Sequence, residues 1–231
     1  MIEQTTLDTG IECVLFDLDG TLVDTAADFQ KVLDIMLDRE NMPRVTSERV
    51  HQTVSDGARA LVKLAFNLEE QDSAFASRLQ ELLDLYYQQL EQTAATPYPG
   101  VLTLLTRLEN SDIPWGVVTN KPEKYSLRLL ENLQLLERCS SLVCPEHVQE
   151  RKPNPEPLLL ACQQLACDTE RTVYIGDHQR DMQAAKSADL IAIAATYGYL
   201  GTDVRAEEWP ADFLINSINE LEGLLSILKF A

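Results

Sequence analysis

The sequence predicts an α/β protein: a doubly wound, Rossmann-like parallel sheet core with an inserted all-helical cap domain. Three observations carry that expectation. Short apolar runs recur at 11–16, 113–118, 141–144, 172–175 and 190–195. Most of them are separated by segments of helical periodicity, the alternation that builds a parallel sheet covered on both faces. The first interval, 17–112, is far longer than a crossover between neighbouring strands needs and holds helical patterns throughout.

The first strand closes on Cys13-Val14-Leu15-Phe16, a continuous apolar stretch of the kind that a strand buried on both faces requires. In the long interval, Phe29, Val32, Leu33, Met36 and Leu37 mark one helix. Ala58, Leu61, Val62 and Ala65 mark a second, and Leu79, Leu82, Leu83, Tyr86 and Leu90 a third. The turn-rich TPYPG at 96–100 closes the insertion. The expected division is a core of 1–23 and 97–231 with a cap of 24–96, large enough to be its own small domain. After the second strand, Tyr125, Leu129, Leu130 and Leu133 recur at helical spacing. Before the fourth, Leu158, Ala161, Cys162 and Leu165 do the same.

Length and a hydrophobic fraction of 45% suit a soluble globular core rather than a disordered chain. Nineteen basic against thirty-seven acidic residues give a net charge of −18, which repels nucleic-acid backbones and anionic membranes. An anionic ligand would need positive charge gathered locally, by a metal, a few Lys or Arg, or helix N-termini. The five cysteines, at 13, 139, 144, 162 and 167, form no C-x-x-C and read as reduced thiols. The N-terminal MIEQTTLDTG has neither a basic region nor an apolar stretch, and no apolar run approaches membrane-spanning length, so a cytoplasmic location is expected. Oligomeric state is left open.

Functional candidates cluster at the carboxyl ends of the predicted strands, where open parallel sheets bind ligands. Asp17 and Asp19 follow the first strand, Thr119 and Asn120 the second, and Gly176 and Asp177 the fourth. Ionised groups gathered in one crevice call for a cation, and a hard, oxygen-rich site suits Mg²⁺. An isolated Asp after a strand is ordinarily a turn or cap residue, but several strand ends here share the anomaly.

The motifs DLDGT at 17–21, VVTN at 117–120, Lys152 in RKPNPEP, and GDHQRD at 176–181 resemble, in order and placement, those of the haloacid dehalogenase-like phosphatases. The helical insertion is similar to that superfamily's cap. Within it the chain resembles the phosphoglycolate phosphatase branch, while VSDGARALVKLAF and LVCPEHV are similar to segments of bacterial N-acetylmuramic acid 6-phosphate phosphatases of cell-wall recycling. The resemblance implies a Mg²⁺-dependent phosphomonoesterase for a small anionic phosphate ester, N-acetylmuramic acid 6-phosphate or 2-phosphoglycolate. Asp17 would be the nucleophile, forming an aspartyl phosphate, and Asp19 the general acid and base. Thr119 and Lys152 would hold the transferring phosphoryl oxygens, with Gly20, Thr21 and Asn120 around the phosphate. Asp17, the main-chain carbonyl of Asp19 and Asp177 would ligate the metal. Asp181 would hold a metal-bound water or orient Lys152.

Each residue has a plainer reading: Thr119 as a helix cap, Lys152 as a solvated lysine, Asp177 and Asp181 as helix-start acids. His178 reads as an exposed first-turn histidine. In the cap, Asp56-Gly57 marks a turn before a helix, and Arg59 is a candidate for a substrate carboxylate or an exposed surface arginine. Two other functions fit the same residues: a phosphomutase on this fold, and a receiver-like phospho-acceptor signalling module. The second is opposed by Asp19 and by the long insertion.

Overall fold

The computed structural model describes residues 10–228; the stretch at 1–9 read above for targeting signals lies outside them. A parallel sheet runs through the core, built from β1 (Cys13–Phe16), β4 (Trp115–Val118), β5 (Ser141–Val143), β6 (Thr172–Gly176), β7 (Ile191–Ala195) and β8 (Phe213–Ile215). Its order is β5-β4-β1-β6-β7-β8. The chain steps outward from β1 to β5 on one side, then returns to build the other, so β1 lies at the point where the direction reverses. Val14 pairs with Trp115 of β4 and Val173 of β6, and every residue of β1 is buried. The runs predicted as strands are all strands: four are one or two residues shorter than predicted, and β6 is one residue longer, through Gly176. β8 escaped the sequence reading, because it is three residues long at the sheet edge with only Ile215 buried, too short and too exposed to leave an apolar run.

Two short strands, β2 (Val23–Asp24) and β3 (Thr96–Pro97), pair antiparallel and carry the chain out to the helical insert and back. The insert comprises α1 (Ala26–Arg39), α2 (Ser47–Thr53), α3 (Ala58–Phe66) and α4 (Phe75–Gln89). The stripe Phe29, Val32, Leu33, Met36 and Leu37 is buried along α1, as its 3.6-residue spacing requires. Gly57, at φ +86°, makes the turn from a 3₁₀ segment at Val54–Asp56 into α3, a left-handed conformation that favours glycine. The helix α2 has a single buried residue, Val50, and so no apolar stripe to betray it in sequence.

The core helices are α5 (Val101–Asn110), α6 (Glu123–Asn132), α7 (Glu156–Leu165), α8 (Gln179–Ser187) and α9 (Ile218–Ile227). A continuous apolar core includes Val14, Phe16 and Trp115 from the sheet and Leu33, Leu61 and Leu82 from the insert. The opposite sheet face packs Leu15 and Tyr174 against Leu158 of α7 and Met182 of α8. All five cysteines are free thiols, with Cys13, Cys144 and Cys162 buried. Among the described residues no helix is long and apolar enough to cross a membrane.

Candidate active site

β1, β4 and β6 are neighbours, so the residues that follow them emerge together: Asp17 after β1, Thr119 after β4, Asp177 after β6. One carboxylate oxygen each from Asp17, Asp177 and Asp181 lies within 4.8 Å of the others. Asp181 enters from the first turn of α8, where its Oδ2 accepts the His178 N–H at 3.1 Å.

Lys152 holds this cluster together. Its ammonium is buried and donates to Asp17 Oδ1 at 2.9 Å, the Val118 carbonyl at 2.9 Å and the Tyr174 hydroxyl at 2.6 Å, and forms an ion pair with Asp181 Oδ1 at 2.7 Å. Burial by itself would pull the ammonium down, but Asp17 and Asp181 outweigh it and keep Lys152 charged, above its ordinary value. Asp181 is thus in direct contact with Lys152, the residue it was offered to orient. Burial raises the Asp17 carboxyl against the pull of Lys152, and Asp181 raises it further.

Asp177 is the least compensated of the acids. Its Oδ2 accepts the Tyr199 N–H and the Ser55 hydroxyl, each at 2.8 Å, whereas its Oδ1 is buried with no hydrogen-bond partner. Burial, then repulsion from Asp17 and Asp181, pushes its carboxyl up to about 8. An orphaned buried carboxylate oxygen beside two other acids is a site short of positive charge. These oxygen donors fit a hard divalent cation, and the cluster could hold one.

A cavity of about 370 Å³ opens over the cluster, between sheet and insert. Asp17, Asp19, Thr119, Asn120, Lys152 and Asp181 line its floor. Thr119 Oγ1 accepts the Lys121 N–H at 3.1 Å, a turn contact within the loop; the N-cap of α6 is Pro122, so Thr119 is not the helix cap of its plainer reading. Asn120 Nδ2 donates to the Lys152 carbonyl at 3.0 Å, while its Oδ1 is buried without a partner. Phe29, Leu79, Leu83 and Tyr86 of the insert supply an apolar wall. Leu79 and Leu83, read from spacing as core positions of a helix, are half-buried and face this space.

Three expectations change, those for Gly20, Thr21 and His178. Gly20 and Thr21 are not in the cavity wall: the Gly20 N–H is engaged by the Val23 carbonyl at 3.0 Å, and Thr21 is fully buried. Gly20 matters sterically, since a Cβ there would lie 2.1 Å from Asp177 Oδ2. Arg59 lines the cavity, but its guanidinium pairs with Glu70 at 2.8 Å and its side chain is 60% exposed. His178 is no free surface histidine: it caps α8 by accepting the Arg180 N–H on Nδ1, and its Nε2 lies 3.5 Å from Asp56 of the insert.

Several site residues had no signal in the sequence reading. Tyr174 looked like one more apolar strand residue, yet its hydroxyl meets Lys152 and donates to the Val118 carbonyl at 2.9 Å. Ser55 reaches Asp177 from the insert, which no local pattern could announce. Lys121, next to Thr119-Asn120, forms a buried ion pair with Asp19 at 2.8 Å. Arg151 also lines the cavity, and its side chain has no partner among the described residues.

Comparison with known proteins agrees with the motif resemblance. The family model described as haloacid dehalogenase-like hydrolase matches residues 14–195. An N-acetylmuramic acid 6-phosphate phosphatase of Pseudomonas aeruginosa is 40% identical over 215 residues, 93% of this chain and 95% of that one. A phosphoglycolate phosphatase of Xanthomonas campestris is 37% identical over 208 residues, 90% of this chain and 93% of that one. A crystal structure of a predicted phosphoglycolate phosphatase from Haemophilus somnus shares the fold, with a TM-score of 0.82 at 24% identity over 94% of this chain and 99% of that one. With its strand-end residues gathered at one cavity and the family pattern running through most of its length, the chain belongs to the haloacid dehalogenase-like hydrolases.

Proposed function

We propose that the protein is a Mg²⁺-dependent phosphomonoesterase that forms an aspartyl phosphate on Asp17, and that its substrate is N-acetylmuramic acid 6-phosphate. One observation carries the reaction type: Asp17, fixed through Oδ1 by Lys152, lines the same cavity as Asp19, with Asp177 and Asp181 gathered beside it.

Asp17 Oδ2 attacks phosphorus, and the bond from phosphorus to the ester oxygen breaks. Asp19 gives its proton to the departing oxygen, then accepts one from the water that attacks the aspartyl phosphate, releasing phosphate and the Asp17 carboxylate. Lys152 and the Thr119 and Asn120 side chains receive the phosphoryl oxygens from the cavity floor. The Asp17 and Asp177 carboxylates and the Asp19 carbonyl, with Asp181 alongside, would hold Mg²⁺, which would supply the positive charge an anionic nucleophile needs to approach an anionic ester.

The cavity and the relatives support this reading of the substrate. An acetylated amino sugar fills a space of about 370 Å³ with an apolar wall far better than a two-carbon glycolate does. Its lactyl carboxylate suits the unpartnered Arg151. 2-Phosphoglycolate, the ester in the name of the Xanthomonas relative, is the second reading: it has the carboxylate without the bulk. Phosphate release by wild type and Asp17→Asn, with and without Mg²⁺, tests the reaction on both esters. Metal-dependent turnover abolished by the substitution is expected, with kcat/KM favouring the sugar phosphate; turnover that survives loss of Asp17 refutes the nucleophile.

A further inference from the structure

Lys121 buries its ammonium between core and cap. Desolvating an ammonium is costly unless partners surround it, and here they do. Nζ donates to Asp19 Oδ1 at 2.8 Å and to the Tyr86 hydroxyl at 2.7 Å. It lies 4.6 Å from the centre of the Tyr86 ring and 5.3 Å from that of Phe29, and those two rings stack at 4.2 Å. Phe29 belongs to α1 and Tyr86 to α4, so the cap builds an aromatic cage for a cation that the core supplies. Asp19 and Tyr86 outweigh the effect of burial and hold the ammonium charged.

The anion of this pair is gripped on one side only. Thr25 Oγ1 also donates to Asp19 Oδ1, at 2.6 Å. Among the described residues Asp19 Oδ2 has no hydrogen-bond partner, and Asp19 lines the cavity. A carboxylate tied by two donors through one oxygen presents the other in a fixed direction.

We propose that Lys121 is a positioning residue for proton transfer: with Thr25 it locks Asp19 through Oδ1, leaving Oδ2 to exchange the proton, and Phe29 and Tyr86 make the lock depend on the seated cap. The inference rests on the phosphomonoesterase reading above. In the first step the electron pair of the breaking phosphorus–oxygen bond goes to the leaving oxygen. That oxygen takes the proton from Asp19 Oδ2, and the carboxylate left behind lies against the Lys121 ammonium.

The test compares leaving groups. kcat/KM reports only the steps up to departure of the alcohol, and 4-nitrophenolate departs without a proton whereas an alkoxide does not. Lys121→Met should lower kcat/KM for N-acetylmuramic acid 6-phosphate at least roughly tenfold more than for 4-nitrophenyl phosphate, within the 10²–10⁴-fold that general acids contribute. Tyr86→Phe, which keeps the ring and loses one hydroxyl, should shift the ratio the same way by less, and it decides the matter if Lys121→Met does not fold. Equal losses on both esters, or no loss on either, would overturn the positioning role while leaving Asp17 chemistry intact. A wild type idle on both esters would remove the enzymatic reading and this inference with it.

Discussion

Ser55 Oγ, on the cap, donates at 2.8 Å to Oδ2 of Asp177, just past the end of β6. This bond joins the insert to an acid of the proposed metal cluster, and partners of this kind orient a ligand and tune its affinity. Ser55→Ala should therefore weaken Mg²⁺ binding by roughly tenfold, the low end of what such partners contribute. The measurement is the Mg²⁺ concentration needed for half-maximal thermal stabilisation. An unchanged midpoint would mean that the cap does not act on the metal site through this bond.

The buried acids make stability depend on pH in a definite direction. Folding raises the Asp177 carboxyl to about 8, so between its unfolded value and that one the folded state holds a proton that the unfolded chain has lost. Stability of the metal-free protein should thus fall as pH rises through this window. Asp177→Asn, which carries no proton to lose, should flatten that fall. Mg²⁺ prefers the ionised cluster, so the rise in Tm it produces should be larger at pH 8 than at pH 5. Melting curves across this range, with and without the metal, check both statements; an equal Mg²⁺ increment at the two pH values would show that the cluster is already ionised in the free protein.

The sheet and the acids were legible because each obeys a local rule. β1 and β4 are unbroken apolar runs, and Asp17, Thr119 and Asp177 stand at the places where such runs end. The supports of those residues obey no local rule. Tyr174 lies inside an apolar strand, and its hydroxyl acquires meaning only when Lys152, 22 residues earlier, folds back to it. Ser55 and Tyr86 belong to another layer of the molecule from Asp177 and Lys121. His178 read as an exposed residue because its partner, Asp56, lies more than a hundred positions away. Contacts between cap and core are set by how two units meet, and spacing along one helix carries no record of that.

Arg59 and Arg151 both line the cavity, and their surroundings separate them. Arg59 is engaged by Glu70 in an exposed pair, whereas Arg151 has no partner among the described residues. A guanidinium without a counter-ion, in a chain of net charge −18, is free for an anionic substrate. Arg151→Ala should raise KM for a carboxylate-bearing ester by about tenfold with little change in kcat, the pattern of lost ground-state binding. Arg59→Ala should stay within roughly twofold, as exposed pairs contribute little. Steady-state kinetics on the two variants check the assignment; the reverse ranking would return the carboxylate contact to Arg59.

Lys152 and Tyr174 test how the acidic cluster is held together. The Lys152 ammonium meets Asp17, Asp181, the Val118 carbonyl and the Tyr174 hydroxyl. Lys152→Met would leave the Asp17 and Asp181 carboxylates facing each other without their cation, and removing one partner of a buried pair such as Lys152–Asp181 costs about 3–5 kcal/mol. Tyr174→Phe removes one hydroxyl and leaves the ammonium three other partners, so its cost should be about 1–3 kcal/mol. Urea unfolding of the metal-free variants should reproduce that order. Mg²⁺ should restore part of the loss in Lys152→Met by supplying positive charge to the same oxygens, and should restore little in Tyr174→Phe, where the charge balance is intact. Equal restoration of the two variants would mean that packing around Lys152, and not its charge, holds the acids in place.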